Sequence, residues 1–158
     1  MTKRSMIFEG QVRKELERLV GGKHRVYKLP DGAKRVAGDR FVHAEKMPGD
    51  FIAFGDGRRI LAEAKTRGDK RLPIADNGIK PHQLQALLDW HNGFFGVFGW
   101  LIVECLAFEH EHVRLIDAWQ LQEYMQANPG AKSIPLVGPD APGTILGPPE
   151  FWKIGGKG

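Results

Sequence analysis

The sequence predicts one mixed α/β domain, in which a central sheet is flanked by helices. Its length of 158 residues suits a single domain with a sizeable core. Apolar residues recur with helical spacing in some segments and with alternating or continuous strand patterns in others. The predicted order of elements is helix, strand, hairpin, helix, strand, strand, helix.

The hairpin is predicted where Asp56 and Gly57 separate two apolar segments, because Asp-Gly favours a type I′ turn. Centring the turn on this pair fixes the register: Gly55 opposite Arg58, Phe54 opposite Arg59, Ile52 opposite Leu61 and Asp50 opposite Glu63. Lys65 lies two residues after Glu63 and therefore points to the same face.

Two opposed carboxylates repel each other, and a divalent cation such as Mg²⁺ would offset that cost. The apolar neighbours Ile52 and Leu61 place Asp50 and Glu63 at the end of an apolar sheet face from which water is partly excluded, so that their charges interact more strongly than in water. We favour a metal site there. The alternative is an ion cluster of Asp50, Glu63 and Lys65 on a solvated strand face.

The first helix is predicted over residues 6–20, with Ser5 as its N-cap and the glycines at 21–22 as its end. Glu9 lies at the margin of its apolar stripe. It either looks toward the core or pairs with Arg13 on the surface. A strand over 24–29 and a basic hairpin or arm over 33–49 follow.

Basic residues stand on both sides of the central hairpin. Lys34, Arg35 and Arg40 belong to the arm, and Arg67, Lys70 and Arg71 form a loop directly after Lys65. Such side chains either contact DNA phosphates or form a solvated face.

The second half supplies a helix over 81–92, a strand buried on both faces over 94–106, a strand over 112–116 and a helix after Asp117. On the first of these helices, Gln83 could orient a water or phosphate and His82 could do the same, although capping or core roles fit both equally well. Residues 109–112 are predicted to be a hairpin loop and not a metal tract. A short edge strand at 132–134 and a tail rich in Pro and Gly from about residue 138 complete the domain, with Phe151 and Trp152 folded back onto it.

Composition limits the environment and the partners. A single cysteine excludes an internal disulfide and favours a reducing compartment. A net charge of +4 suits a polyanionic partner. No apolar signal segment follows the N-terminus, and the most apolar run, 94–106, is too short to span a bilayer. We therefore expect a cytoplasmic protein without a membrane partner.

An upstream helical Glu, then Asp, then Glu-x-Lys is the pattern of the PD-(D/E)xK nucleases, and here it reads Glu9, Asp50 and Glu63-Ala64-Lys65. The chain further resembles the RecU family of Holliday junction resolvases between Phe8 and Trp152. The matching segments are Gly49-Asp50-Phe51, Glu63-Ala64-Lys65, Leu72-Pro73-Ile74, His82-Gln83-Leu84 and Lys132-Ser133-Ile134.

This resemblance implies a restriction-endonuclease-like fold and an Mg²⁺-dependent endonuclease, with Mn²⁺ as a substitute. The enzyme would be a homodimer that resolves four-way DNA junctions by paired symmetric cuts, in a bacterial cell or a phage-infected host. Metal ligands would be Glu9, Asp50, Glu63 and the main-chain carbonyl of Ala64. Lys65 would position or activate the attacking water.

In one respect the chain departs from RecU, because residues 23–47 are shorter than the stalk that enters the junction in that family. Other functions remain open at this point: an archaeal Hjc-type resolvase, a restriction-like endonuclease, a non-catalytic DNA-binding module on the same fold, or a small-molecule metalloenzyme, for which no cofactor motif is present.

Overall fold

A computed structural model describes residues 2–30, 49–91 and 96–155, together with the main chain of two strands in the arm. The helices are α1 (Lys3–Val20), α2 (Pro81–His91) and α3 (Ala118–Ala127). The strands are β1 (Val26–Lys28), β2 (Ala33–Val36), β3 (Arg40–His43), β4 (Phe51–Gly55), β5 (Arg58–Arg67), β6 (Arg71–Pro73), β7 (Val97–Cys105), β8 (His112–Asp117), β9 (Ser133–Pro135) and β10 (Thr144–Gly147).

The central sheet has six strands in the order β1-β4-β5-β7-β8-β10. Strands β5 and β7 run parallel, whereas the other neighbouring pairs are antiparallel. Two small antiparallel pairs, β2 with β3 and β6 with β9, lie outside this sheet. The prediction of a mixed α/β domain with a central sheet flanked by helices is confirmed.

The predicted hairpin register is confirmed from Ile52 opposite Leu61 to the turn. Asp56 and Gly57 have φ values of 51° and 71°, as a type I′ turn requires. The ladder ends at Phe51 opposite Ala62, so Asp50 lies in a bend just before β4 and is not a paired strand residue.

The helices divide the core into two layers. One face of the sheet is covered by α1, whose buried side chains are Phe8, Val12, Leu16 and Val20. The other face is covered by α2 and α3, which contribute Leu84, Leu87 and Leu121 to a second cluster. Leu61 and Leu101 belong to this second cluster, on the same side of the sheet as Glu63.

The boundaries of α1 differ at one end from the prediction. The helix begins at Lys3, because the hydroxyl of Thr2, and not that of Ser5, caps it by accepting a hydrogen bond from the Ser5 N–H at 3.1 Å. Its end is as predicted, with Gly21 in the left-handed conformation at φ 86°.

Other departures concern short elements. The predicted strand 24–29 is reduced to β1, because a 3-10 turn occupies Lys23–Arg25. Strand β6 forms where a loop was expected, since it pairs with β9. No strand was predicted within the tail, yet β10 pairs with β8.

The end of the tail does fold back, but only one of its two aromatic residues is buried. The Trp152 ring lies 5.7 Å from the Phe8 ring, whereas Phe151 is 83% exposed, so the expectation for Phe151 was wrong. In the described part of the chain, no helix is long and apolar enough to cross a membrane.

Candidate active site

A cleft of about 660 Å³ opens at the start of β4, beside β5. Strand β5 continues past Ala62 without β4 beside it, which leaves this edge of β5 uncovered. Residues from α1, β5, α2 and the loop before α2 line the opening. They include Ser5, Glu9, Asp50, Glu63, Ala64, Lys65, Asp76, Lys80 and Gln83. The structure therefore brings together every residue that the sequence suggested for catalysis or metal binding.

Glu63 is the most enclosed of these residues, with an exposed fraction of 1%. Its Oε1 accepts hydrogen bonds from Gln83 Nε2 and lies 2.9 Å from Lys65 Nζ. Its Oε2 is buried and has no hydrogen-bond partner among the described residues. Burial, reinforced by the negative charge of Asp50, raises the pKa of Glu63 to about 7, although Lys65 favours the charged form.

Asp50 is held by the uncovered edge of β5. Its Oδ2 accepts a hydrogen bond of 2.8 Å from the Ala64 N–H, and its own N–H donates to the Ala62 carbonyl at 2.9 Å. Burial raises the pKa of Asp50, and the hydrogen bond from Ala64 opposes that rise. The carboxylate is thus fixed in place by a main-chain donor while its other oxygen, Oδ1, faces Lys28 at 3.9 Å.

The side chain of Glu9 points toward the sheet, which is one of the two orientations considered from the sequence. Arg13, the alternative partner, pairs with Glu17 instead. Glu9 Oε1 accepts a hydrogen bond of 2.5 Å from Lys28 Nζ.

Lys28 is a residue of this site that the sequence analysis missed. It lies on β1, two residues after the buried Val26, so both side chains point to the α1 face of the sheet. The signal in the sequence was a charged residue at an inward position of a predicted strand. Its pairing with β4, which brings Lys28 opposite Phe51, is a long-range contact that the local sequence does not reveal.

Gln83 has the capping role that the sequence left open and also bonds Glu63, whereas its contact with a water or phosphate stays a prediction. Its Oε1 accepts a hydrogen bond from the Lys80 N–H at 3.0 Å and so caps the start of α2. Because Oε1 is used in this way, Nε2 must face the other direction, where it donates to Glu63 at 2.9 Å. The cap therefore fixes the orientation of the amide and, through it, the position of the buried carboxylate.

The basic loop has a different arrangement from the one expected. The guanidinium of Arg67 bonds Asp69 and the main-chain carbonyls of Arg71 and Asn77. That of Arg71 bonds Ser133. Lys70 is exposed, and Lys80, which the sequence analysis did not select, lines the cleft directly. DNA contact by Arg67, Lys70 and Arg71 remains a prediction.

For the remaining predicted DNA-binding residues, the structure gives less detail. His82 is half-buried near the start of α2. The side chains of Lys34, Arg35 and Arg40 lie outside the described residues, although the main chain of their two strands forms the expected hairpin. DNA contact by these four residues is likewise untested.

The donor set fits a divalent cation in composition. Among the described residues, no group of three or more His, Cys, Asp or Glu side chains is arranged to hold a metal ion. The cleft instead offers the unpartnered Oε2 of Glu63 and the carboxylate of Asp50. The Ala64 carbonyl should share the uncovered edge of β5, because the N–H and C=O of one strand residue face the same neighbour. Oxygen donors of this kind suit Mg²⁺ or Mn²⁺.

Comparisons with known proteins yield structural similarity alone. No protein-family model matches the chain, and no curated protein sequence matches it. The chain is similar to Hjc of Archaeoglobus fulgidus, a Holliday junction resolvase from an archaeal hyperthermophile, with a TM-score of 0.47 and 17% identity over 82% of this chain and 87% of that chain. It is also similar to the protein SSO0001, with a TM-score of 0.31 and 14% identity over 82% of this chain and 64% of that chain.

Proposed function

We propose that the chain is a metal-dependent DNA endonuclease whose active site is the cleft between α1, β5 and α2, and that its substrate is the four-way DNA junction. The observation that carries the nuclease proposal is the buried Oε2 of Glu63, which lacks a hydrogen-bond partner among the described residues and belongs to a cleft that Asp50 also lines. Burying a carboxylate oxygen without a hydrogen-bond partner costs free energy. A hard cation that coordinates this oxygen would offset that cost.

The oxygen atoms that line the cleft would be the ligands of that cation. Asp50, Glu63 and the Ala64 carbonyl would hold it, with Glu9 completing the set once its carboxylate leaves Lys28. A bound Mg²⁺ or Mn²⁺ would polarise a phosphoryl oxygen as a Lewis acid and acidify a water molecule.

The protein's own side chains carry the remaining tasks. Lys65, whose Nζ lies 2.9 Å from Glu63 Oε1, would orient the attacking water or stabilise negative charge on the phosphate. Gln83 holds Glu63 in position. The buried Leu61, Leu72 and Leu84 limit the access of bulk water beneath the carboxylates, which strengthens their interactions.

Selectivity for a four-way junction rests on the resemblance to RecU, and the net charge of +4 is compatible with DNA as the partner. Resolution requires two symmetric cuts in opposed strands, so the active species would be a homodimer with two clefts related by a two-fold axis. Light scattering coupled to gel filtration measures this oligomeric state directly.

The decisive experiment incubates the protein with a synthetic mobile four-way junction, the matching duplex and a single strand, each with and without Mg²⁺. We expect paired cuts in the junction that require the metal. Asp50→Asn should abolish cleavage and leave junction binding largely intact, whereas Asp140→Asn, which alters an exposed carboxylate of the tail, should cut normally.

Each other result would remove a defined part of the proposal. Equal cleavage of duplex and junction would indicate a restriction-like nuclease and contradict junction selectivity. Binding without cleavage under all metal conditions would indicate a non-catalytic DNA-binding module. Normal cleavage by Asp50→Asn would show that the chemistry takes place elsewhere.

A further inference from the structure

We infer that Lys28 controls the loading of the metal: its ammonium group competes with the cation for Glu9 and Asp50 until a DNA phosphate draws it away. This inference rests on the proposed function and concerns a residue that the PD-(D/E)xK pattern of this sequence does not include.

The geometry places Lys28 between two proposed ligands. Its Nζ lies 2.5 Å from Glu9 Oε1 and 3.9 Å from Asp50 Oδ1, so a single ammonium neutralises part of both carboxylates. The same Nζ lies 5.1 Å from the centroid of the Phe51 ring, a cation–π contact that supports this position.

Competition follows from the charges. A cation held by Asp50 and Glu9 would lie within a few ångströms of the ammonium, and like charges at such a distance repel strongly in a partly buried site. Metal entry therefore requires Lys28 to release Glu9. Lys65 differs in this respect, because it contacts Oε1 of Glu63 and not Oε2, which has no hydrogen-bond partner among the described residues.

A phosphate group provides the alternative partner for Lys28. Its side chain is about one-third exposed, at 32%, and its four-carbon stem allows Nζ to turn toward the opening of the cleft. When DNA is bound, the ammonium can pair with a phosphate oxygen and free both carboxylates. The metal and the DNA would then strengthen each other's binding, as thermodynamic linkage requires.

The test is calorimetric titration of the metal-free protein with Mn²⁺ in the absence of DNA. Lys28→Met should bind Mn²⁺ about tenfold more tightly than the wild type, because the competing charge is gone. Lys28→Arg should bind Mn²⁺ like the wild type. Lys23→Met, which removes an exposed lysine from the preceding turn, controls for the loss of net charge.

A second titration includes a four-way junction with hydrolysis-resistant phosphorothioate linkages. The junction should increase the Mn²⁺ affinity of the wild type severalfold and that of Lys28→Met much less. Circular dichroism checks folding, and Lys28→Gln replaces Lys28→Met if the latter does not fold.

The outcomes separate this inference from the proposed function. If the wild type binds Mn²⁺ and cuts DNA but Lys28→Met binds Mn²⁺ equally or more weakly, the role of Lys28 is refuted alone. If the wild type neither takes up Mn²⁺ nor cuts any DNA, the proposed function fails and this inference fails with it.

Discussion

Replacing Glu63 by Gln should stabilise the metal-free protein at alkaline pH while abolishing its cleavage activity. Glu63 is 1% exposed, and folding raises its pKa from the ordinary value of 4.5 to about 7. The amide of Gln fills the same space without a charge, so the variant resembles the protonated wild type at every pH.

The sign of the effect follows from proton linkage. Between the unfolded and folded pKa values, the folded protein binds more protons at Glu63 than the unfolded chain, so the free energy of unfolding falls as pH rises. A pKa raised from 4.5 to about 7 corresponds to about 3 kcal/mol, lost progressively between those values and constant above them. Relative to the wild type, Glu63→Gln should therefore gain about 3 kcal/mol between about pH 4.5 and pH 8.

The assay is urea unfolding of both proteins with a metal chelator, from about pH 5 to pH 8. Asp50 also has a raised pKa and contributes to the slope of both proteins, so the difference between them is the quantity of interest. Glu123→Gln, which changes an exposed carboxylate on α3, is the matched control and should show a difference that is independent of pH.

A difference between wild type and Glu63→Gln that stays constant across this pH range would refute the reasoning, because it would mean that Glu63 is not penalised when charged. Added Mg²⁺ provides a further check. It should restore the stability of the wild type at about pH 8 and have little effect on the variant, which lacks a charged ligand.

Two further substitutions test the supports of the site and of the fold. Gln83→Leu should lower the free energy of unfolding by about 1 kcal/mol because it removes a cap, and it should reduce cleavage because the buried carboxylate of Glu63 loses a hydrogen-bond donor. The control is Gln85→Leu, on the exposed side of the same helix. Equal cleavage by both variants would contradict the positioning role of Gln83. Trp152→Ala should cost about 3 kcal/mol or more by removing a buried ring, whereas Phe151→Ala should cost less than about 0.5 kcal/mol in the same urea assay.

The parts of the site that could be predicted from sequence are those fixed by local geometry. The turn at Asp56 and Gly57 determines the register of β4 and β5, and that register places Glu63 on the same side of the sheet as Leu61. A period of two then assigns Lys65 to the same side. Each step depends on residues close in sequence, and the structure reproduces each of them.

The parts that escaped prediction depend on contacts between distant segments. Arg71 looked free to bind phosphate, but its guanidinium group bonds the hydroxyl and the main-chain carbonyl of Ser133, 62 residues away. Strand β10 was missed because its pairing with β8 includes a shift of register and follows a stretch rich in Pro and Gly. No local pattern specifies these partners.

Lys28 and Gln83 show why the supports of a site are harder to predict than its ligands. Asp50 and Glu63 both belong to the segment around one hairpin, whereas the groups that contact their carboxylates come from β1 and α2. Both supports contact only one oxygen of their acid: Gln83 takes Oε1 of Glu63, and Lys28 lies near Oδ1 of Asp50. The arrangement leaves Oε2 of Glu63 without a partner among the described residues, and that oxygen is the basis for proposing a cation site here rather than a closed ion cluster.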